Sequence, residues 1–191
     1  MANYCSCVLE ISSYDVSIID RINSIRTLGP PKNFLDKFKS LFKGKEEKLN
    51  IQLLQFLRPM PEYLFESLDD KSSDPEWRKW RVENWGCPHD AEIDDCIRVN
   101  PNVIKIYFHT QYSPPLPALE YFAKKEDVEY RILHCELGNG WLGIAGTSEN
   151  KDYEYSLDKP PSEEGIPDEL IKEFNLVAAY EEWKNSLFKN N

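Results

Sequence analysis

Val103-Ile104-Lys105-Ile106-Tyr107-Phe108-His109-Thr110 is the clearest strand in the chain. Ile104, Ile106 and Phe108 recur at every second residue, with Lys105, Tyr107 and His109 between them. A strand sends alternate side chains to opposite faces, so this run predicts one buried face and one polar, aromatic face. Residues 130–137 alternate in the same way. Leu133, Cys135 and Leu137 are expected in the core, with Tyr130, Ile132, His134 and Glu136 opposite. Residues 5–11 form a third such ribbon, with Cys5, Cys7, Leu9 and Ile11 inward and Tyr4, Ser6, Val8 and Glu10 outward. Residues 49–57 are expected as a fourth, with Leu49, Ile51, Leu53 and Leu57 inward and Gln52, Leu54 and Phe56 outward, closed by Pro59-Met60-Pro61.

Helical signals fill the gaps. Ser12 and Ser13 can cap a helix that turns Val16, Ile19, Ile22 and Ile25 inward, and Gly29-Pro30-Pro31 ends it. Residues 32–48 carry six lysines and an apolar stripe of Phe34, Leu35, Phe38, Leu41 and Phe42. They are expected as a covering helix whose lysine stems lie over apolar neighbours. Residues 69–74 read as a polar loop. Pro75 opens a short helix through Trp80. Ser113-Pro114-Pro115-Leu116-Pro117 turns the chain into a helix through Leu119, Tyr121, Phe122 and Ala123. Gly138-Asn139-Gly140 predicts a hairpin turn, with a return strand over 141–147 and another over 151–157. After the linker Pro160-Pro161-Ser162, residues 167–188 read as one long acidic helix with Leu170, Phe174, Val177, Tyr180, Trp183 and Leu187 at helical spacing.

Strand, helix, strand occurs twice in this order. That predicts an α+β, ferredoxin-like split βαβ sandwich with an antiparallel sheet, helices on one face, a helical insertion and a C-terminal helix. The expected division is a domain over 1–158, with the insertion around 30–48, and an acidic helical extension over 159–191 packed on or beside it.

Composition narrows the function. With 33 Asp and Glu against 23 Lys and Arg, the formal net charge is −10, which repels long DNA and anionic membranes. No apolar run reaches membrane-spanning length. Five cysteines, with no secretory signal ahead of Cys5, predict reduced thiols in a cytoplasm. Cys5 and Cys7 are expected as small buried thiols, not as a metal pair.

Trp80-Arg81-Val82-Glu83-Asn84-Trp85-Gly86-Cys87-Pro88-His89-Asp90-Ala91 stands out as too aromatic for a solvated loop and too irregular for a plain helix or strand. Arg81 is expected to pair with a carboxylate and Asn84 to bond backbone groups, holding the segment in shape. Together with Asn3-Tyr4-Cys5, Met60-Pro61 and Ser113-Pro114-Pro115, the run Trp80–Gly86 resembles the YubB-type ferredoxin-like domain family of plasmid and bacteriophage proteins. The resemblance extends from the N-terminus to about Gly146. Pro88-His89 and Tyr112 stand where that family often has Lys-Trp and Trp. The resemblance implies a fold and a mobile-element setting, and no activity or catalytic residue.

Three constellations carry candidate chemistry. Lys105, Tyr107, His109, Tyr130, His134 and Glu136 are expected together on the outward sheet face; left open, its aromatics and histidines could stack bases, but the C-terminal helix or the tryptophan-rich segment is expected to cover it, making them half-buried packing residues. Cys87, His89 and Cys96 are soft ligands but too few for a zinc site. Glu83, Asp90, Asp94 and Asp95 could serve a hydrolase only if aimed at one reacting atom. No phosphate-cradling glycine loop or nucleophile elbow is present. The expected function is therefore a non-enzymatic phage or plasmid accessory protein that binds, and in one form inhibits, a host protein in the bacterial cytoplasm. The alternative is a nucleotide or RNA-binding module on the open face. The expected binding residues are Tyr107, His109, Tyr130, His134, Trp80, Arg81, Glu83, Asn84 and Trp85, with no catalytic residue, metal or cofactor.

Overall fold

β1 (Tyr4–Ser12) buries Cys5, Cys7, Leu9 and Ile11 on one face, while on the other Val8 is buried and Tyr4 and Glu10 are exposed. It is an inner strand of the sheet, with a neighbour on each edge. The computed structural model describes residues 3–25, 53–68, 72 and 75–189. After β1 come α1 (Val16–Ile25), α2 (Leu53–Leu57), a 3-10 segment (Glu62–Ser67), α3 (Glu76–Trp85), β2 (Glu92–Asn100), β3 (Val103–Gln111), α4 (Leu116–Glu126) and β4 (Glu129–Glu136). The chain ends with β5 (Trp141–Gly146), β6 (Asn150–Glu154), α5 (Asp168–Glu173) and α6 (Leu176–Lys189). The six strands form one sheet in the order β2-β3-β1-β4-β5-β6, and every neighbouring pair is antiparallel. The first four strands have the ferredoxin-like order, and β5 and β6 widen the sheet. Among the described residues no helix is long and apolar enough to cross a membrane.

One core lies between the sheet and the four helices α1–α4. Leu9, Ile11, Ile104, Ile106, Phe108 and Ile132 meet Ile19, Ile22, Leu53, Leu57, Trp85, Leu119 and Phe122 there. A second core lies on the opposite face, where Val8, Leu133, Cys135, Leu142 and Ile144 meet Tyr155, Ile166, Leu170 and Leu176. The C-terminal segment, one of the two covers expected for the outward face, thus lies over its β4–β5 side. Ion pairs pin it there: Lys105 Nζ reaches Glu173 Oε2 at 3.2 Å, and Arg131, which also bonds Glu149 before β6, bonds Glu169.

Four sequence expectations are corrected. Residues 49–52 lie outside the described residues, and 53–57 form a helix. Leu53, Leu54 and Leu57 are all buried, a spacing that one helical face satisfies and a strand does not. The Asp90 carboxylate fixes that turn, accepting from the Leu54 and Gln55 N–H groups at 2.8 and 3.0 Å. The second strand is instead β2, a sheet edge whose alternation is broken by irregularities between Ile93 and Asp95 and between Arg98 and Asn100. The segment expected to be irregular is largely α3, which runs to Trp85 and ends on Gly86 in the left-handed conformation (φ 92°). The terminal helix is two helices, broken at Asn175 (φ 49°).

The fourth correction concerns β4. Its alternation is real, but the faces are exchanged. Ile132 pairs with Leu9, Tyr130 with Ile11 and His134 with Cys7, so Tyr130, Ile132 and His134 share the helix-covered face. Leu133 and Cys135 belong to the second core, and Leu137 is 37% exposed. Alternation gives the period of a strand buried on both sides but not which face meets the helices. The lysine-rich helix expected over 32–48, its stop at Gly29-Pro30-Pro31 and, apart from Ser72, the loop over 69–74 lie outside the described residues.

Candidate functional site

The residues behind the family resemblance converge at one end of the sheet. The Ser113 hydroxyl donates to the Gly86 carbonyl at 2.5 Å, and Thr110 Oγ1 donates to the Ser113 carbonyl at 2.8 Å. The Tyr112 N–H donates to Asn3 O at 2.9 Å. Trp85 Nε1 donates to Arg58 O at 2.8 Å, and Arg58 reaches back to the Asn84 and Pro117 carbonyls, both at 3.3 Å. The first strand, the tryptophan helix and the Ser-Pro-Pro turn are thereby tied together. Tyr4 and Tyr112, each 48% exposed, stand at this end, with Leu137 at the end of β4. Tyr112 has φ 70°, a left-handed backbone that tyrosine rarely adopts.

On the outer face, next to Tyr4, three polar side chains form a chain. Ser6 lies directly opposite His109 across β1 and β3, with Ser6 Oγ 3.1 Å from His109 Nδ1. His109 Nε2 is 2.9 Å from Asp94 Oδ2. Asp94 reaches this face because the irregularity in β2 inserts it between two paired residues, and a bulge re-aims the side chain it carries. His109 is 38% and Asp94 54% exposed, so solvent reaches the whole chain.

A second polar cluster lies on the helix-covered face. Cys5 and Cys7 hold their sulfurs 3.9 Å apart. The Cys7 thiol, then His134, pull the Cys5 thiol down to about 6 against the effect of burial. Burial pushes Cys7 upward, and pushes Cys87 and Cys135 to about 12. His134 is completely buried, its ring tilted 49° against the Trp141 ring with centres 4.6 Å apart, and its two ring nitrogens have no hydrogen-bond partner among the described residues. Neither Cys5 nor His134 exposes any surface, so the cluster can hold a proton but meets no substrate.

The expected binding residues are therefore split among three places. Tyr107 and His109 share the outer face, where Tyr107 lies under Lys105 at 5.0 Å from its ring centre. Tyr130 and His134 are buried on the opposite face. Trp80, Arg81, Glu83, Asn84 and Trp85 belong to α3. There the Arg81 guanidinium lies between the Trp77 and Trp85 rings, at 4.9 and 4.7 Å. Its charge is balanced by Asp90 through space, without a direct ion pair among the described residues. Burial lowers its pKa. Asn84 donates to the Trp80 carbonyl at 2.8 Å, and Glu83 is exposed. Cys87, by contrast, donates to the His89 carbonyl at 3.2 Å. Among the described residues no three His, Cys, Asp or Glu side chains are grouped to hold a metal ion.

Sequence reading left Ser6 and Asp94 out of the site. Ser6 joins it through the β1–β3 register and Asp94 through a bulge, and neither is written in a local pattern.

No protein-family model matches the chain, and no curated protein does. Among solved structures it is similar to the crystal structure of a protein api92 from Yersinia pseudotuberculosis, of the family model DUF1281. The two are 12% identical with a TM-score of 0.46, over 82% of this chain and 99% of that one. A likeness this distant says nothing about function.

Proposed function

We propose that this chain is a protein-binding accessory protein of a phage or plasmid, acting in the cytoplasm of the bacterial host. It holds a host protein against the tyrosine-bearing end of the outer sheet face. The observation that carries this reading is the pair Tyr4 and Tyr112, each half exposed on backbone fixed by the Tyr112–Asn3 hydrogen bond. Aromatic side chains on a rigid backbone lose little entropy on binding and dominate many interfaces. Ser6 and His109, next along the sheet from Tyr4, and the half-exposed Leu137 add polar and apolar surface at the same end. Glu92 and Asp94 beside it, together with the overall charge of −10, favour a basic partner surface. The resemblance carried by Asn3-Tyr4-Cys5 and Ser113-Pro114-Pro115 supports the mobile-element setting. It falls on the same end of the sheet.

A nucleotide or RNA on this face is the weaker reading. Lys105 and Arg131 are engaged by Glu173, Glu149 and Glu169, so a phosphate would have to displace carboxylates to reach them.

The test is capture from bacterial lysate on immobilised wild-type protein, on a Tyr4→Ala/Tyr112→Ala double variant and on Tyr63→Ala. Tyr63 is 63% exposed in the 3-10 segment. One host protein should be held by the wild type and by Tyr63→Ala and lost from the double variant. Retention by the double variant, or no capture by the wild type, contradicts the proposal.

A further inference from the structure

We infer that Ser6 is a general-base-activated nucleophile that accepts an acyl group from an activated ester, with His109 as the base and Asp94 orienting the ring. This goes beyond a binding role and departs from the expectation of a chain without chemistry. The geometry has the order such a step needs: nucleophile to base at 3.1 Å and base to orienting carboxylate at 2.9 Å.

The tautomer follows from the partners. An ionised carboxylate can only accept, so the neutral imidazole carries its proton on Nε2 and donates it to Asp94. Nδ1 is then the lone-pair nitrogen, and the Ser6 hydroxyl donates to it. The ring nitrogens are used the opposite way round from the serine-protease arrangement, which puts the carboxylate on Nδ1. The proton bookkeeping is the same.

The step balances as follows. Ser6 Oγ bonds to the ester carbonyl carbon while its proton passes to His109 Nδ1. The carbon–oxygen bond to the leaving group then breaks. The departing alkoxide or phenolate takes the proton from Nδ1, which leaves acyl-Ser6 and a free alcohol. Water attacking the acyl carbon by the reverse route releases the acid.

The placement also sets limits. The chain is exposed, and β1 is paired on both edges at Ser6, to His109 and to Cys135, so among the described residues the backbone around Ser6 is committed to the sheet and not to an oxyanion. An oxyanion hole usually supplies the largest share of the acceleration. The expected activity is therefore slow acylation by esters with good leaving groups, not rapid turnover. Tyr4, two residues along β1 on the same face as Ser6 and 48% exposed, would favour an aryl or other apolar ester.

The experiment incubates the full chain with p-nitrophenyl acetate and maps acetylation by peptide mass spectrometry. Wild type is compared with Ser6→Ala, His109→Gln and Asp94→Asn, with thermal melts confirming that each variant is folded. Ser6 should be acetylated well ahead of the exposed serines Ser17 and Ser186. General-base assistance is typically worth about 10²–10⁴-fold. His109→Gln should therefore slow labelling at Ser6 by at least about tenfold, and Asp94→Asn by less. Labelling of Ser6 at the rate of Ser17, or no change in His109→Gln, would each overturn the inference. Because the Tyr4 and Tyr112 variants leave Ser6 in place, failure here is separable from failure of the binding proposal.

Discussion

Ser113 Oγ and Gly86 O, 27 residues apart, meet in a 2.5 Å hydrogen bond that fastens the end of α3 to the start of α4. Gly86 can accept this neighbour only because it has no side chain. A Cβ there would lie 2.9 Å from Pro117 Cδ and 3.0 Å from Pro114 O, on a backbone at φ 92°. Gly86→Ala should therefore destabilise the fold by about 2–4 kcal/mol, combining left-handed strain with overpacking. Ser113→Ala should cost about 1–2 kcal/mol through the lost hydrogen bond. Urea unfolding of both variants checks the order; Gly86→Ala at wild-type stability would show that this junction is looser than described.

Asp90 gives a pH prediction. Burial pushes its carboxyl up to about 6, outweighing three backbone N–H donors and the nearby Arg81. A carboxyl whose pKa is higher folded than unfolded binds its proton more tightly in the folded chain. Its contribution to stability is therefore full below about pH 4 and is lost as pH rises to about 6. The melting temperature of the wild type, measured relative to Asp90→Asn, should fall across that interval and level off above it. Parallel curves would contradict the assignment. Asp90→Ala, which also removes the acceptor for Leu54 and Gln55, should cost about 1–2 kcal/mol at neutral pH.

The second core predicts that the C-terminal segment is part of the domain's stability. Leu170 is completely buried against the sheet, whereas Val177, one residue past the buried Leu176, is 54% exposed. Leu170→Ala should destabilise by about 2–5 kcal/mol, and Val177→Ala by less than about 0.5 kcal/mol. Equal effects in equilibrium unfolding would mean that α5 does not pack on the sheet. This contrast also governs any truncation: removing residues 160–191 strips the cover from Leu133, Leu142 and Ile144, so loss of a partner after that deletion reports unfolding as readily as a lost surface.

What the sequence made legible follows from how local each signal is. The ferredoxin-like order was reached by counting 49–57 as the second strand, a place that β2 fills instead, whereas β1 and β3 could be read because their period-2 patterns are uninterrupted. The Gly138-Asn139-Gly140 turn was legible for the same reason, since Gly140 needs its positive φ (66°). β2 was not. As an edge strand it keeps Glu92, Ile97, Arg98, Val99 and Asn100 exposed, and its bulges erase the alternation. Leu53–Leu57 was misread because a five-residue apolar run fits a strand or one helical turn, and a carboxylate 36 positions away decides between them. The candidate site depended on the same long-range facts. His109 was on the expected face, but its partners Ser6 and Asp94 arrive through sheet register and a bulge. His134, on a strand buried on both sides, went to the opposite face.

The most direct test of the binding account is an amide hydrogen-exchange footprint of the full chain with and without the host protein it captures. The account predicts slowed exchange concentrated in residues 3–8 and 107–113, with α6 and the exposed sides of α1 and α4 unchanged. Protection confined to α6 or to the helix layer, with those two strand ends unaffected, would contradict it.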